Sequence, residues 1–276
     1  MRNAKIIFMN KNPIGIFDSG IGGLTVTREV INALPYESIV YLGDTARIPY
    51  GTRSKEVITK FALELVNFLL KKGVKVLVVA CNTISANSLE EIKKVSPVPV
   101  IGVIKPAIKA AIETTKNNKI GVIGTPGTIN SKSYETGIKN ADSSMEVVSV
   151  AAPLFVPIAE EGFSEHIATA MIAQEYLKEI KSSGVDTLIL GCTHYPLLDD
   201  VIQKTVGDSI TLVDSAKPTA EELKKILEDN DLLTDEKNPE YKFFVTDAPE
   251  RVYKVASTFF GDELDDSIEK VTLENE

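Results

Sequence analysis

Short β-branched runs alternate along most of the chain with longer segments of helical periodicity, and this alternation limits the folds that are available. Eight runs predict β-strands, at residues 14–17, 39–42, 75–80, 98–103, 119–124, 145–150, 187–191 and 210–213. The segments between them predict helices. Residues 54–73, for example, place apolar side chains three and four positions apart and end in Lys-Lys-Gly, a helix stop signal. Because apolar strands that alternate with helices form parallel sheets covered on both faces, the sequence predicts the α/β class.

Two segments share one local pattern, and each contains one of the two cysteines of the chain. In GVKVLVVACNTIS, Cys81 stands eight residues after the first glycine, and in GVDTLILGCTHYP, Cys192 stands at the same place. The segments IGIFDSGIGG and IGVIGTPGTI make a looser second pair. This internal repeat predicts two similar doubly wound parallel-sheet domains, related by pseudo-two-fold symmetry, with the functional site in the cleft between them.

Two crossover segments predict the domain boundaries. VIKPA, at 103–107, is expected to leave the first sheet, and VDSAKPTAEEL, at 213–223, is expected to return to it. Residues 1–104 together with 215–276 would form the first domain, and residues 105–214 the second. The C-terminal strand–helix pattern is expected to complete the first sheet, with EKVTL as an edge strand. The residues before Pro13 are expected to be a short extension, and the tail from Asp262 an acidic, solvated segment.

Composition excludes several classes of function. The chain has 30 basic and 39 acidic residues, a formal charge of −9, so it lacks the basic surface of a general nucleic-acid-binding protein. No stretch approaches about 18 consecutive apolar residues, which predicts no transmembrane helix, and the N-terminal apolar run is too short for a signal peptide. Two cysteines far apart in the chain do not make a disulfide framework. These features predict a cytoplasmic protein with reduced thiols and without nucleic-acid or membrane partners.

The two cysteines are candidates for proton-transfer chemistry. Each follows a predicted strand and is expected to enter a helix, whose N-terminal partial charge favours the thiolate. An ordinary thiol pKa of about 8.5 already lies near the value that a base working at neutral pH needs. If the two domains face one another, a thiolate and a thiol on opposite sides of a substrate carbon would act as base and acid, and could exchange these roles. The alternative is that Cys81 and Cys192 are small buried apolar residues.

Other polar candidates cluster at predicted strand ends and helix starts. His194, two residues after Cys192, is a candidate to orient or polarise a thiol, whereas His166 is expected on the surface. Asp18 and Ser19 follow the first strand in FDSGIGGL, a glycine-rich loop that allows close backbone approach but matches neither a dinucleotide-binding nor a Walker A motif. Further candidates are Pro49, Tyr50 and Gly51 in a polar loop, and Thr125 and Thr128 at another helix start.

The remaining acidic candidates carry little signal of their own. On composition alone, Glu160 and Glu161 are expected on the surface of a helix.

A zinc site is disfavoured because its potential ligands are scattered along the sequence, so no metal is expected. Those potential ligands are Asp18, Cys81, Cys192 and His194.

Seven segments together resemble the glutamate racemase family: IGIFDSGIGGL, YLGDTARIPYGTRS, VVACNT, IGVIGTPGTI, FVPIAEEG, LGCTHYPLL and VDSA occur in the order that the family has them. The resemblance extends from about Pro13 to residue 252. It implies two α/β domains of similar topology that form a homodimeric enzyme. It also implies that the enzyme interconverts L- and D-glutamate without pyridoxal phosphate or any other cofactor, and supplies D-glutamate for peptidoglycan synthesis, cell-wall biogenesis and cell shape.

The resemblance implies a role for each matching residue. Cys81 and Cys192 resemble the two acid–base thiols, with Cys81 removing the α-proton of D-glutamate and Cys192 that of L-glutamate. Asp18, His194 and Glu160 resemble groups that assist them. The residues implied in substrate binding are Asp18, Ser19, Tyr50, Gly51, Asn82, Thr83, Thr193 and His194. Two alternatives remain: a racemase for aspartate or another amino acid, and a two-domain amino-acid-binding protein without turnover.

Overall fold

The structure is a computed structural model that describes residues 10–260 and 268–273. Within these residues, parallel strands form two sheets. The first sheet contains β1 (Ile14–Asp18), β2 (Ile39–Gly43), β3 (Val76–Val79), β4 (Val100–Gly102), β9 (Tyr241–Val245) and β10 (Ile268–Lys270). The second sheet contains β5 (Lys119–Gly124), β6 (Glu146–Ala151), β7 (Thr187–Gly191) and β8 (Thr211–Val213).

Helices connect the strands and cover the sheets. They are α1 (Leu24–Ala33), α2 (Lys55–Lys71), α3 (Asn82–Val95), α4 (Ile104–Thr114), α5 (Pro126–Asn130), α6 (Ser133–Ala141), α7 (Phe155–Glu160), α8 (Ile167–Ser182), α9 (Asp199–Val206), α10 (Ala216–Asp229) and α11 (Pro249–Phe260), and a 3₁₀ helix spans Tyr195–Leu198. The sequence signals explain α2: the Ser54 side chain accepts a hydrogen bond from the N–H of Val57, and Gly73 adopts φ +75° just past its end. In the described part of the chain, none of these helices has the length and apolarity needed to cross a membrane.

The two sheets have the same strand order at their centres. The first runs β10-β9-β2-β1-β3-β4 and the second β6-β5-β7-β8, so β2-β1-β3-β4 and β6-β5-β7-β8 correspond strand by strand. The predicted α/β class and the internal repeat are therefore confirmed. In each sheet the chain reverses direction across the sheet at one pair of strands, which is β1 and β3 in the first sheet and β5 and β7 in the second. Doubly wound sheets bind their ligands at such switch points, beside the carboxyl ends of the strands.

The predicted strands are all present, and the C-terminal segment completes the first sheet as expected. Strand β9 pairs with β2, and β10 lies at the sheet edge beside β9, where an edge strand was predicted. Residues 1–9, 261–267 and 274–276, which include much of the predicted extension and tail, lie outside the described residues. The second sheet is built between residues 119 and 213, and the domain boundaries at 104/105 and 214/215 stay a prediction.

Apolar side chains alternate between the two faces of each strand, as a sheet covered on both sides requires. In β1, Ile14 and Ile16 join the core under α1 and α10, whereas Phe17 joins the core under α2 and α3. The second sheet is filled in the same way, and Cys81 and Cys192 each belong to one of these cores. The strands are thus held rigidly enough to fix the direction of the residues that follow them.

A buried ion pair between Lys75 and Glu37 connects four separate segments of the half of the protein that contains the first sheet. The Lys75 side chain is 0% exposed, and its Nζ donates to a carboxylate oxygen of Glu37, to the carbonyl of Asn10 at 2.6 Å and to the carbonyl of Leu232 at 2.8 Å. The other carboxylate oxygen of Glu37 accepts from the N–H of Thr234 at 2.9 Å. Every donor of the ammonium therefore has an acceptor, which offsets the cost of its burial.

We expect Glu37→Ala to lower the free energy of unfolding by about 3–5 kcal/mol, because it leaves the Lys75 ammonium buried without its counter-charge. Urea unfolding followed by circular dichroism measures the change. Glu90→Ala is the control, since it removes an exposed pair with Lys93 at 2.8 Å and is expected to cost less than about 1 kcal/mol. Equal costs for the two variants would contradict the interpretation of Lys75.

Candidate active site

A cavity of about 240 Å³ lies beside the carboxyl ends of the strands at both switch points. Most of the predicted site residues line it: Ser19, Pro49, Tyr50, Gly51, Cys81, Asn82, Thr83, Thr125, Glu160, Cys192, Thr193 and His194. Asp18 and Thr128 do not line the cavity and are buried behind the residues that do. The structure therefore brings together, in one place, residues that are up to 175 positions apart in the sequence (Ser19 to His194).

Cys81 is the residue immediately before α3, as predicted, and is 4% exposed. Its Sγ–H donates to Ser19 Oγ at 3.3 Å. Burial, followed by the nearby charge of Asp18, raises the pKa of Cys81 to about 12. The N–H of Ile84 in the first turn of α3 lowers the pKa of Cys81, as predicted for a helix N-terminus, but loss of hydration outweighs this effect. Cys81 holds its proton at neutral pH.

Cys192 is also buried, but no helix begins at it, so the prediction that Cys192 enters a helix was wrong. A turn follows the cysteine and leads into the 3₁₀ helix at Tyr195. Pro196 accounts for the difference, because it has no N–H to donate to the Cys192 carbonyl, which accepts instead from the N–H of Tyr195 at 3.1 Å. The turn places His194 beside the sulfur, with 3.8 Å between Cys192 Sγ and His194 Nδ1.

His194 links Cys192 to Glu160. Its Nε2 lies 3.0 Å from Glu160 Oε1, on the opposite side of the ring from the thiol. Burial alone would lower the pKa of His194, but hydrogen bonds and negative charge from Cys192 and Glu160 raise it to about 10. The imidazole is therefore charged at neutral pH, and an imidazolium beside a cysteine favours the thiolate. The composition-based expectation that Glu160 lies on the surface was wrong, whereas Glu161 and His166 are exposed.

Asp18 supports the site from beneath. Its carboxylate is completely buried, Oδ2 accepts from the N–H of Gly20 at 3.1 Å, and burial raises its pKa. The glycines that follow allow the two halves of the protein to approach closely. A Cβ at Gly22 would lie 2.3 Å from Thr193 Oγ1 and 2.6 Å from His194 Nδ1, so only glycine fits there.

The loop after β2 is anchored by Asp44, which the sequence analysis did not single out. The buried Asp44 carboxylate accepts from Tyr50 Oη, from Arg47 Nε at 2.6 Å and from Thr246 Oγ1 at 2.8 Å. These bonds hold Tyr50 and Gly51 at the cavity, and the Gly51 carbonyl accepts from the N–H of Gly127 in α5 at 2.7 Å. The position of Asp44 directly after a strand was the signal that would have identified it.

Hydroxyl groups from both halves meet at the cavity. Thr83 Oγ1 lies 2.9 Å from Thr125 Oγ1, which in turn lies 3.1 Å from Thr128 Oγ1. Thr125 also caps α5, with proline at the first helical position. Among the described residues, no lysine or arginine lines the cavity, and its apolar wall comes from Ile48 and Val156 with several prolines. An anionic ligand would therefore be held chiefly by amide and hydroxyl donors.

The described residues contain no group of three or more His, Cys, Asp or Glu side chains arranged to hold a metal ion. The titratable groups of the cavity pair instead with one another, as thiol with hydroxyl and imidazole with carboxylate. The arrangement suits proton transfer to and from a small organic acid.

Two similar doubly wound domains with titratable groups around the cavity between them suit an enzyme that moves a proton to and from a carbon centre. The family described as Asp/Glu/hydantoin racemase matches residues 14–223. A glutamate racemase of Geobacter metallireducens is 48% identical over 265 residues, which is 95% of this chain and 97% of the relative. The chain belongs to this family and, within it, to the glutamate racemases.

Solved structures agree with this assignment. A glutamate racemase of Bacillus anthracis superimposes with a TM-score of 0.92 at 42% identity, covering 95% of this chain and 98% of the other. The enzyme of Francisella tularensis, in complex with D-glutamate, gives a TM-score of 0.90 at 40% identity, with coverage of 96% and 99%. The two-domain fold predicted from the sequence is thus shared over nearly the whole length of both proteins.

We expect Glu160→Gln to move the alkaline limb of the kcat/KM profile to lower pH by about one unit or more. Glu160 raises the pKa of His194, so a neutral amide lets the imidazole lose its proton at a lower pH. Racemase assays across the alkaline range measure the shift. Glu161→Gln, at the exposed neighbouring position, is expected to leave the limb in place, and an identical shift in both variants would contradict the role of Glu160.

Proposed function

We propose that this enzyme racemises glutamate by a two-base mechanism in which Cys81 and Cys192 act on opposite faces of the α-carbon. The observation that carries the proposal is that both cysteines are free of disulfide bonds and line the same cavity. They are buried and follow equivalent strands of the two sheets. The structure of the similar Francisella tularensis enzyme in complex with D-glutamate supports glutamate as the substrate. The proton transfers in this mechanism use the thiols and no cofactor.

The different surroundings of the two thiols support one assignment of roles. In the L-to-D direction, the Cys192 thiolate forms an S–H bond with the α-proton of L-glutamate, and the C–H electron pair stays on the α-carbon. The Cys81 thiol then gives its proton to the opposite face, leaving a Cys81 thiolate. The protonated state of Cys81 and the imidazolium beside Cys192 support this starting form. In the D-to-L direction the same steps run backwards.

The α-carbanion requires strong stabilisation, because an amino-acid α-proton is far less acidic than a thiol. We propose that Asn82, Thr83 and Thr193, with Ser19, donate hydrogen bonds to the substrate carboxylates. Preorganised donors in an enclosed site are worth more than the same donors in water. The Asp44-anchored loop contributes Tyr50 and Gly51 to this enclosure.

The wider setting of the enzyme is also part of the proposal. Its two free thiols support a reducing, cytoplasmic location, and D-glutamate would be supplied for peptidoglycan synthesis. We propose a homodimer, which sedimentation of the purified protein can test. The proposal is supported by four exposed apolar side chains in one segment of the sequence: Leu154 before α7, Phe163 between α7 and α8, and Ile167 and Met171 in α8.

Racemisation in D₂O tests the two-base mechanism. With L-glutamate and no added cofactor, we expect loss of circular dichroism together with α-deuteration, seen by NMR. Cys81→Ala and Cys192→Ala are both expected to abolish racemisation. Because each keeps one base, Cys81→Ala should still exchange the α-proton of L-glutamate, and Cys192→Ala that of D-glutamate. Racemisation by either variant at the wild-type rate would rule out the mechanism.

The same assay separates the alternative functions. Turnover of aspartate at a kcat/KM equal to or above that of glutamate would favour the aspartate racemase. Binding of glutamate without α-deuteration would indicate a binding protein built on this fold. Either result would contradict glutamate racemisation as the main activity.

A further inference from the structure

Tyr134 does not line the cavity, yet it contacts a residue next to each thiol. It is 2% exposed and lies in the first turn of α6. Its hydroxyl donates a 2.6 Å hydrogen bond to Oδ1 of Asn82, which directly follows Cys81. Its ring packs over Gly191, which directly precedes Cys192, since a Cβ at Gly191 would lie 3.1 Å from Tyr134 Cε2.

The hydrogen bond from Tyr134 determines which end of the Asn82 amide can donate. Burial raises the pKa of Tyr134, so the hydroxyl keeps its proton and needs an acceptor. Asn82 Oδ1 is that acceptor, and Asn82 Nδ2 is directed towards Ser215 Oγ at 3.5 Å. A flipped amide would leave the hydroxyl proton without this partner. An amide nitrogen carries two hydrogens, so Asn82 Nδ2 can donate to Ser215 and, because Asn82 lines the cavity, also to a substrate carboxylate.

The contacts of Tyr134 also span the two halves of the protein. Tyr134 is part of the core under the second sheet, beside Ile120, Val122 and Ile189. Asn82 begins α3, which follows β3 of the first sheet. One rigid aromatic side chain therefore connects the end of β3 to the end of β7.

We propose that Tyr134 is a positioning residue for racemisation, which holds the Asn82 amide towards the substrate carboxylate and keeps the two thiol-bearing strand ends in register. The proposal rests on the two-thiol racemisation described above. Tyr134 acts through Asn82 and Gly191 and does not itself touch the substrate. Misplacement of groups that hold the substrate by about 1 Å can cost about a hundredfold in rate, so the loss of this support is expected to lower kcat/KM.

Tyr134→Phe tests the hydroxyl while keeping the ring over Gly191. We expect kcat/KM to fall by about tenfold or more for both enantiomers, chiefly through a higher KM, because the Asn82 amide loses its fixed orientation. A variant that merely lost folded protein would lower kcat at unchanged KM. The control is Tyr176→Phe, which removes the hydroxyl of another tyrosine of this half, one that accepts from the N–H of Leu154 at 3.4 Å, and should retain wild-type kinetics.

A double-mutant cycle on glutamate binding tests whether Tyr134 acts through Asn82. Calorimetry gives the apparent Kd of glutamate for the wild type, Tyr134→Phe, Asn82→Ala and the double variant. We expect Tyr134→Phe to weaken binding in the wild-type background and to change it less than about twofold in the Asn82→Ala background. The same factor in both backgrounds, or wild-type kinetics for Tyr134→Phe, would overturn the proposal. Absence of turnover by the wild type would instead refute the proposed function. The two failures are distinguishable because the cycle measures glutamate binding and does not depend on turnover.

Discussion

Loss of hydration at the two thiols is the constraint on which the rest of the site depends. A buried thiolate is costly unless a positive charge or hydrogen-bond donors replace its water shell. Cys192 has such a partner in His194, which Glu160 keeps protonated. Cys81 has the Ser19 hydroxyl and the nearby Asp18 carboxylate, which do not compensate for its burial, so it stays a thiol. The fold is repeated, but the electrostatics of its two halves are not, because an imidazolium lies beside Cys192 whereas a carboxyl group lies near Cys81.

The burial of the two thiols also depends on close contact between the two halves of the protein. Backbone and hydroxyl hydrogen bonds cross between them, from the Gly127 N–H to the Gly51 carbonyl and between Thr83 and Thr125. Gly22 allows α1 to approach Thr193 and His194 more closely than any side chain would permit. These contacts hold the two halves close together around the cavity that both cysteines line.

Much of the fold and the identity of most site residues follow from local sequence. The strand runs, the repeat and the two cysteines at equivalent strand ends depend on patterns of two to eight residues, and the structure retains them. Two features could not be predicted locally because they depend on the tertiary structure: burial raises the pKa of Cys81, and Glu160 is largely buried against His194, 34 positions away. The turn after Cys192 has a local cause, Pro196, which the prediction of a helix overlooked. Tyr134 had no local signal, since its contacts lie 52 and 57 residues from it in the sequence.

The different groups behind the two thiols also bear on how the site tolerates both directions of the proposed reaction. In the proposed turnover from L- to D-glutamate, Cys192 ends protonated and Cys81 carries the negative charge, with the Asp18 carboxyl group nearby. The raised pKa of Asp18 makes this form less costly, because a carboxyl group that can become neutral no longer repels the thiolate. The backbone N–H of Gly20 already contacts the carboxyl from the loop side. His194 favours a charge on its thiol by being positive, whereas Asp18 can do so only by being neutral. In the proposed mechanism, the two structurally equivalent thiols therefore exchange roles with different help, from an imidazolium beside Cys192 and from a carboxyl group of raised pKa near Cys81.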